Sequence, residues 1–174
     1  MYKIAIIGPE STGKSELAQA LALHYNGIFV PEYARTYVEQ LERDYTFDDV
    51  CKIAVRQLEE QQLFKESKVP VFFDTEMIIT KVWLEHCYQN VPVFVEENIQ
   101  SNYFDLYLIC YPDLPWVPDP VREHGGDERI FFYNWYLNEA RKTGRPQFII
   151  SGIDANRTNN AIKVIDDYMA LNKK

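Results

Sequence analysis

Three observations predict an α/β fold, a five-stranded parallel sheet with helices on both faces and a lid segment. Five short apolar segments alternate with helix-patterned stretches along the chain. These segments are continuous runs rather than one-sided alternations, as expected of strands covered on both faces. Finally, the stretch Gly8-Pro-Glu-Ser-Thr-Gly-Lys-Ser15 falls between the first apolar run and the first helical pattern, where a doubly wound sheet turns from strand to helix.

Ile4, Ala5, Ile6 and Ile7 form the first strand, and Gly8 opens the turn after it. From Lys14 onward, Leu17, Leu21 and Tyr25 recur at helical spacing. "GIFVPE" (27–32) is the second strand, followed by a helix carrying Tyr33, Tyr37 and Leu41 on one face. Thr46 and Asp49 make a capping-box-like start to a longer helix, with Val50, Ile53, Ala54 and Leu58 turned inward. "VPVFFDTE" (69–76) is the third strand and ends in carboxylates; "FDLYLICY" (104–111) is the fourth and "PQFIISG" (146–152) the fifth. A last amphipathic helix begins near Asn156, with Ile162, Ile165 and Met169 on one stripe. "YPDLPWVPDPVREHGGDERI" is rich in Pro, Gly and charge, so a lid is expected over about 112–130. Right-handed crossovers join the strands, and no repeat or linker divides the 174 residues, which read as one domain.

The chain is 47% hydrophobic, enough for a real core. Its net charge of −8 argues against nucleic acid as a main partner, because phosphate-backbone binding needs basic stripes that are absent here. Cys51, Cys87 and Cys110 are widely separated and form no CxxC pair, so neither a disulfide framework nor a zinc site is expected. No apolar run approaches the roughly 20 residues that span a bilayer, and the amino-terminal stretch has no signal-peptide pattern. The expectation is a cytoplasmic protein with no membrane partner; its oligomeric state is not legible.

The loop at 8–15 satisfies GxxxxGK[ST] in its required strand-to-helix context. Backbone N–H groups of residues 10–15, from Glu10, Ser11, Thr12 and Gly13 to Lys14 and Ser15, would point at phosphate oxygens beside the positive helix end. Lys14 would reach the β- and γ-phosphates of ATP and Ser15 would ligate Mg2+. The plain alternative is a glycine-containing turn, but the whole pattern in context favours a P-loop NTPase fold. Ligands of such sheets lie beyond the carboxyl ends of the strands. Asp74 there can hold the magnesium ion, directly or through water, together with Ser15, against the alternative that Asp74 or Thr75 caps the next helix. Glu76 is a candidate for orienting water or the acceptor. Glu32 after the second strand can take a hydroxyl proton or hold sugar hydroxyls, with Arg35 a turn later; helix-end charge or an ion pair with Arg35 are its ordinary explanations. Arg122 and Arg129 in the lid would offset phosphoryl charge, against a reading as solvated loop charge. Arg157 follows the fifth strand near an expected adenine site, though capping of the helix by its neighbours explains that region as well. Tyr33, Tyr111 and Trp116 are candidate walls for a planar ligand.

"GPESTGKS", "PEYART" (31–36), "FFDTEMIIT" (72–80) and "WVPDPVR" (116–122) together resemble the ribosylnicotinamide kinase domain of NadR-type proteins, in order and over nearly the whole chain. That resemblance implies transfer of phosphate from ATP to the 5′-hydroxyl of nicotinamide riboside, giving nicotinamide mononucleotide in NAD salvage. It implies Gly8–Ser15 for ATP, Asp74 for magnesium or the acceptor, and Arg122 in the lid. Longer members of that family carry adenylyltransferase and DNA-binding segments for which 174 residues leave no room, so those activities are not expected here. A pocket of carboxylates and aromatic faces, from Glu32, Glu76, Tyr33 and Trp116, would suit a cationic pyridinium ring. The same groups would also serve a neutral nucleoside. Two rival readings are another small-molecule kinase, which would differ only in its acceptor pocket, and a regulatory P-loop ATPase switch.

Overall fold

The computed structural model describes residues 1–118 and 125–172. Five parallel strands, β1 (Lys3–Ile7), β2 (Ile28–Val30), β3 (Val71–Asp74), β4 (Leu106–Cys110) and β5 (Gln147–Ile150), lie in the order β2-β3-β1-β4-β5. Seven helices accompany them among the described residues: α1 (Lys14–His24), α2 (Tyr33–Glu39), α3 (Phe47–Leu63), α4 (Met77–Tyr88), α5 (Val93–Gln100), α6 (Glu128–Lys142) and α7 (Ala155–Leu171).

Side-chain alternation along the buried strands divides the core between the two faces of the sheet. Ala5, Ile7, Phe73, Tyr107 and Ile109 pack against Ile78 and Val82 of α4 and Phe132, Tyr136 and Leu137 of α6. On the other face Ile4, Ile6, Phe72, Leu106 and Leu108 meet Leu17 and Leu21 of α1 and Ala161 and Ile165 of α7. Covering both faces explains why β1, β3 and β4 lack the polar alternation of a one-sided sheet. A third cluster joins Val50 and Ala54 of α3, Met77 and Leu84 of α4 and Val95 of α5.

The capping box at Thr46 and Asp49 is present in both directions. Asp49 also accepts from Tyr37 Oη at 2.9 Å and from Arg43 Nη1 at 2.7 Å, which ties α2 and the following loop to α3. α2 ends at Glu39, so Leu41 lies beyond the helix on which the sequence places it. The sequence reading also leaves α5 unmarked; one fully buried side chain, Val95, is too little to stamp a period.

Candidate active site

Because β1 is flanked by β3 and β4, the ends of those three strands open on one edge of the sheet, where the order reverses. The loop from β1 to α1 runs across this edge. Its first glycine has no substitute: at Gly8 φ is 149°, and an added Cβ would stand 2.8 Å from the Cys110 carbonyl oxygen. Gly13 caps α1 in the left-handed region (φ 70°), which glycine adopts without steric cost. Ser11 is also left-handed, at φ 53°. The Thr12 hydroxyl turns inward and donates to the Pro9 carbonyl at 2.8 Å, leaving only its backbone N–H for a ligand. Lys14 Nζ folds back over the loop to the same carbonyl at 3.0 Å.

Asp74 ends β3 opposite Ile6, with only 3% of its surface exposed. Burial raises its pKa, and the Lys14 charge and a hydrogen bond from the Ser15 hydroxyl oppose that rise. Its Oδ1 has no hydrogen-bond partner. A buried oxygen left open beside Ser15 fits a hydrated divalent cation, since such a group is otherwise costly to bury. No set of three or more His, Cys, Asp or Glu side chains among the described residues forms a separate metal centre.

Glu32 occupies the N-cap position of α2 but makes no side-chain cap bond. Burial raises its pKa; Lys14 and then Arg35 lower it, whereas Asp74 and Glu10 raise it. The structure therefore brings Lys14, Glu32, Asp74 and Glu10 into one electrostatic group. Arg35 pairs with Glu39 at 2.9 Å, one turn along α2. Tyr33 faces the Arg56 guanidinium, 5.7 Å from its ring centre, and Tyr37, at 5.9 Å.

Other expected site residues are held by the protein itself. Glu76, rather than Asp74 or Thr75, caps α4: it is 2% exposed and accepts from the Ile78 N–H at 2.8 Å, with burial pushing its carboxyl up to about 8. Its bond to Ile78 is that of a helix cap. Arg129 donates to the Leu114 and Ser11 carbonyls at 2.8 and 3.0 Å, strapping the segment after β4 to the phosphate loop. Ser11 completes that strap through Val117, whose N–H it accepts at 3.1 Å. Arg157 is 4% exposed and donates to the Gly152, Ile150 and Tyr111 carbonyls and to Asp113. Its guanidinium ties together the loops after β4 and β5, beside the place where the sequence reading expects adenine. Trp116 Nε1 donates to Glu10 at 3.4 Å. Arg122 lies outside the described residues.

The cleft also holds a tyrosine with no advance signal in the sequence and a threonine whose strained conformation the sequence does not show. Tyr136 of α6 is buried next to Glu10 and Glu32; burial and then these two charges raise its pKa. Thr75 has φ 74°, a strained conformation for a β-branched residue, and its buried hydroxyl has no partner.

The profile of a family described as an AAA domain matches residues 3–157. The chain belongs to this family. Among curated relatives, the trifunctional NAD biosynthesis/regulator protein NadR of Salmonella typhimurium is 29% identical over 153 residues, 84% of this chain and 37% of that protein. This AAA domain thus spans little more than a third of that relative. A crystal structure of NadR protein in complex with NR covers 97% of the chain and 52% of its own, with TM-score 0.75 and 23% identity. Deoxyadenosine kinase from M. mycoides, bound to products, covers 95% and 99%, with TM-score 0.62 and 14% identity. These likenesses identify the fold as that of P-loop kinases. No described helix is long and apolar enough to cross a membrane.

Proposed function

We propose that the chain transfers the γ-phosphate of ATP to the 5′-hydroxyl of nicotinamide riboside, giving nicotinamide mononucleotide and ADP. One observation carries the reading: the half-buried carboxylate of Glu32, unused as a cap, shares a cleft with the phosphate-loop lysine and Asp74. A bare nucleotide switch has no need of a carboxylate where an alcohol would lie. NadR, the relative solved with NR, has the same fold.

In this account the amides of residues 10–15 and the positive end of α1 hold the triphosphate. Lys14 leaves the Pro9 carbonyl for the β- and γ-phosphate oxygens. Ser15 and Asp74 would hold Mg2+, which neutralises phosphate charge. Glu32 accepts the hydroxyl proton: burial raises its affinity for that proton, while Lys14 keeps an ionised fraction available. Arg129 and Ser11 keep the lid against the loop, so that water is excluded and the sugar hydroxyl is the better placed nucleophile. Arg122 would add charge from the lid, and Arg35, Tyr33 and Trp116 would border the acceptor.

The test is a Mg-ATP assay against nicotinamide riboside and a panel of other nucleosides, with Lys14→Ala as the inactive control and product identified by mass. Turnover of nicotinamide riboside to its 5′-phosphate is expected. Turnover of a different nucleoside alone would replace the acceptor but keep the kinase; the likeness to deoxyadenosine kinase over nearly all of that enzyme favours this second reading. ATP hydrolysis indifferent to every acceptor would favour the switch.

A further inference from the structure

The ladder between β1 and β3 runs one residue past the end of β3, because the Thr75 N–H donates to the Ile6 carbonyl at 3.0 Å. Thr75 therefore stands beside the end of β1, where the chain turns at Gly8 into the phosphate loop. There its own chain reverses: φ is 74° at Thr75, and Glu76 follows as the N-cap of α4.

This residue is destabilising in two separate ways. A β-branched side chain is strained in the left-handed region, which glycine occupies without steric cost. The Thr75 hydroxyl, in a residue only 6% exposed, is also buried without a partner, whereas valine would fill the same space with no polar atom to satisfy. Asp74 repeats the second feature at the preceding position, with a buried and unpartnered Oδ1. No other two consecutive residues among those described both leave a buried polar side-chain atom without a partner. The hydrogen bond from the Ser15 hydroxyl to Asp74 places this pair at the metal end of the phosphate loop. One shared partner that arrives with the ligand accounts for both open oxygens. Mg2+ keeps several of its waters when it binds protein and phosphate, and a water can bond two neighbouring oxygens at once.

We propose that Thr75 is a positioning residue of the metal site, its hydroxyl bonding a water of the hydrated Mg2+ that Asp74 holds. The inference rests on the Mg2+ role given to Ser15 and Asp74 under the proposed function, and is independent of which acceptor the cleft takes. Thr75→Val tests it, since this change keeps the volume and the branching and removes the hydroxyl. In the absence of ligand the urea midpoint of Thr75→Val is expected to equal or exceed that of wild type, because an unpartnered buried hydroxyl has gone. Calorimetry of a non-hydrolysable ATP analogue, with Mg2+ and with EDTA, gives the factor by which the metal tightens nucleotide binding. Thr75→Val is expected to lower that factor about fivefold, as loss of one hydrogen bond implies, with the affinity in EDTA unchanged. Thr75→Ser keeps the hydroxyl and is expected to keep most of the factor.

An unmoved factor in Thr75→Val would overturn the proposal, leaving the hydroxyl idle. A lower urea midpoint, or a variant that does not fold, would also overturn it, by showing that the hydroxyl already has a structural role inside the protein. So would an affinity that falls equally with and without metal, which would mark a disturbed loop or a contact to the nucleotide itself. Wild-type protein whose affinity for the analogue is indifferent to Mg2+ removes the metal role of Ser15 and Asp74 together with this inference. That result is distinct from a metal-dependent wild type with an unmoved variant, which removes the inference alone.

Discussion

Replacing Glu76 by Gln should make the protein more stable at alkaline pH and leave it nearly unchanged in acid. Glu76 is 2% exposed, and burial pushes its carboxyl from 4.5 to about 8; the N–H groups of Ile78 and Met77 oppose that shift only in part. A folded-state pKa above the unfolded value means that the native state binds the proton more tightly. Its contribution is fully present below pH 4.5 and is lost as pH rises through about 8. At about 1.4 kcal/mol for each tenfold change in proton affinity, ionised Glu76 costs folding on the order of 3–5 kcal/mol above that pH. Gln removes the titration yet keeps an oxygen that can accept from the Ile78 N–H. Urea unfolding of both proteins at pH 5 and pH 9 measures the difference directly. A large gain for Glu76→Gln at pH 9 and a gain near zero at pH 5 are expected. Equal differences at the two pH values would refute a buried, proton-holding cap.

Three further outcomes follow from the same geometry. Glu32→Gln should lower kcat by about 10²–10⁴-fold, as loss of a general base does, while calorimetric affinity for Mg-ATP stays close to wild type; unchanged turnover would remove Glu32 from the chemistry. Gly8→Ala places a methyl group 2.8 Å from the Cys110 carbonyl oxygen, so weaker ATP binding and a lower melting temperature should be measured together. Asp49→Ala breaks the bonds from Tyr37, Arg43 and Thr46, and should lower the urea midpoint and, on the proposed placement of the acceptor beside α2, raise the acceptor KM more than the ATP KM.

The strands were legible because parallel strands covered on both faces must be apolar at successive positions, and Ile4–Ile7, Val71–Phe73 and Leu106–Cys110 are fully packed. Gly8, Gly13, Lys14 and Ser15 were legible because phosphate binding constrains residue type and spacing together. The positions of Glu32 just beyond β2 and of Asp74 at the end of β3 were legible from the strands. The arginines show where this reasoning stops: Arg129, expected near phosphate, and Arg157, expected near adenine, both donate to backbone carbonyls, and a carbonyl acceptor has no sequence signature. Glu76 illustrates the same limit, since any of Asp74, Thr75 or Glu76 has the chemistry to cap α4 and only the left-handed turn at Thr75 selects the last. The direction of the Glu10 side chain depends on Trp116, 106 positions away.

The most direct measurement follows the γ-phosphorus of ATP through a single turnover with excess enzyme and nicotinamide riboside. The phosphate is expected on the 5′-oxygen of the nucleoside, at a rate that falls with Lys14→Ala and Glu32→Gln. Label appearing only as inorganic phosphate, at a rate independent of any added nucleoside, would contradict the claim that this cleft brings an alcohol to the phosphate loop.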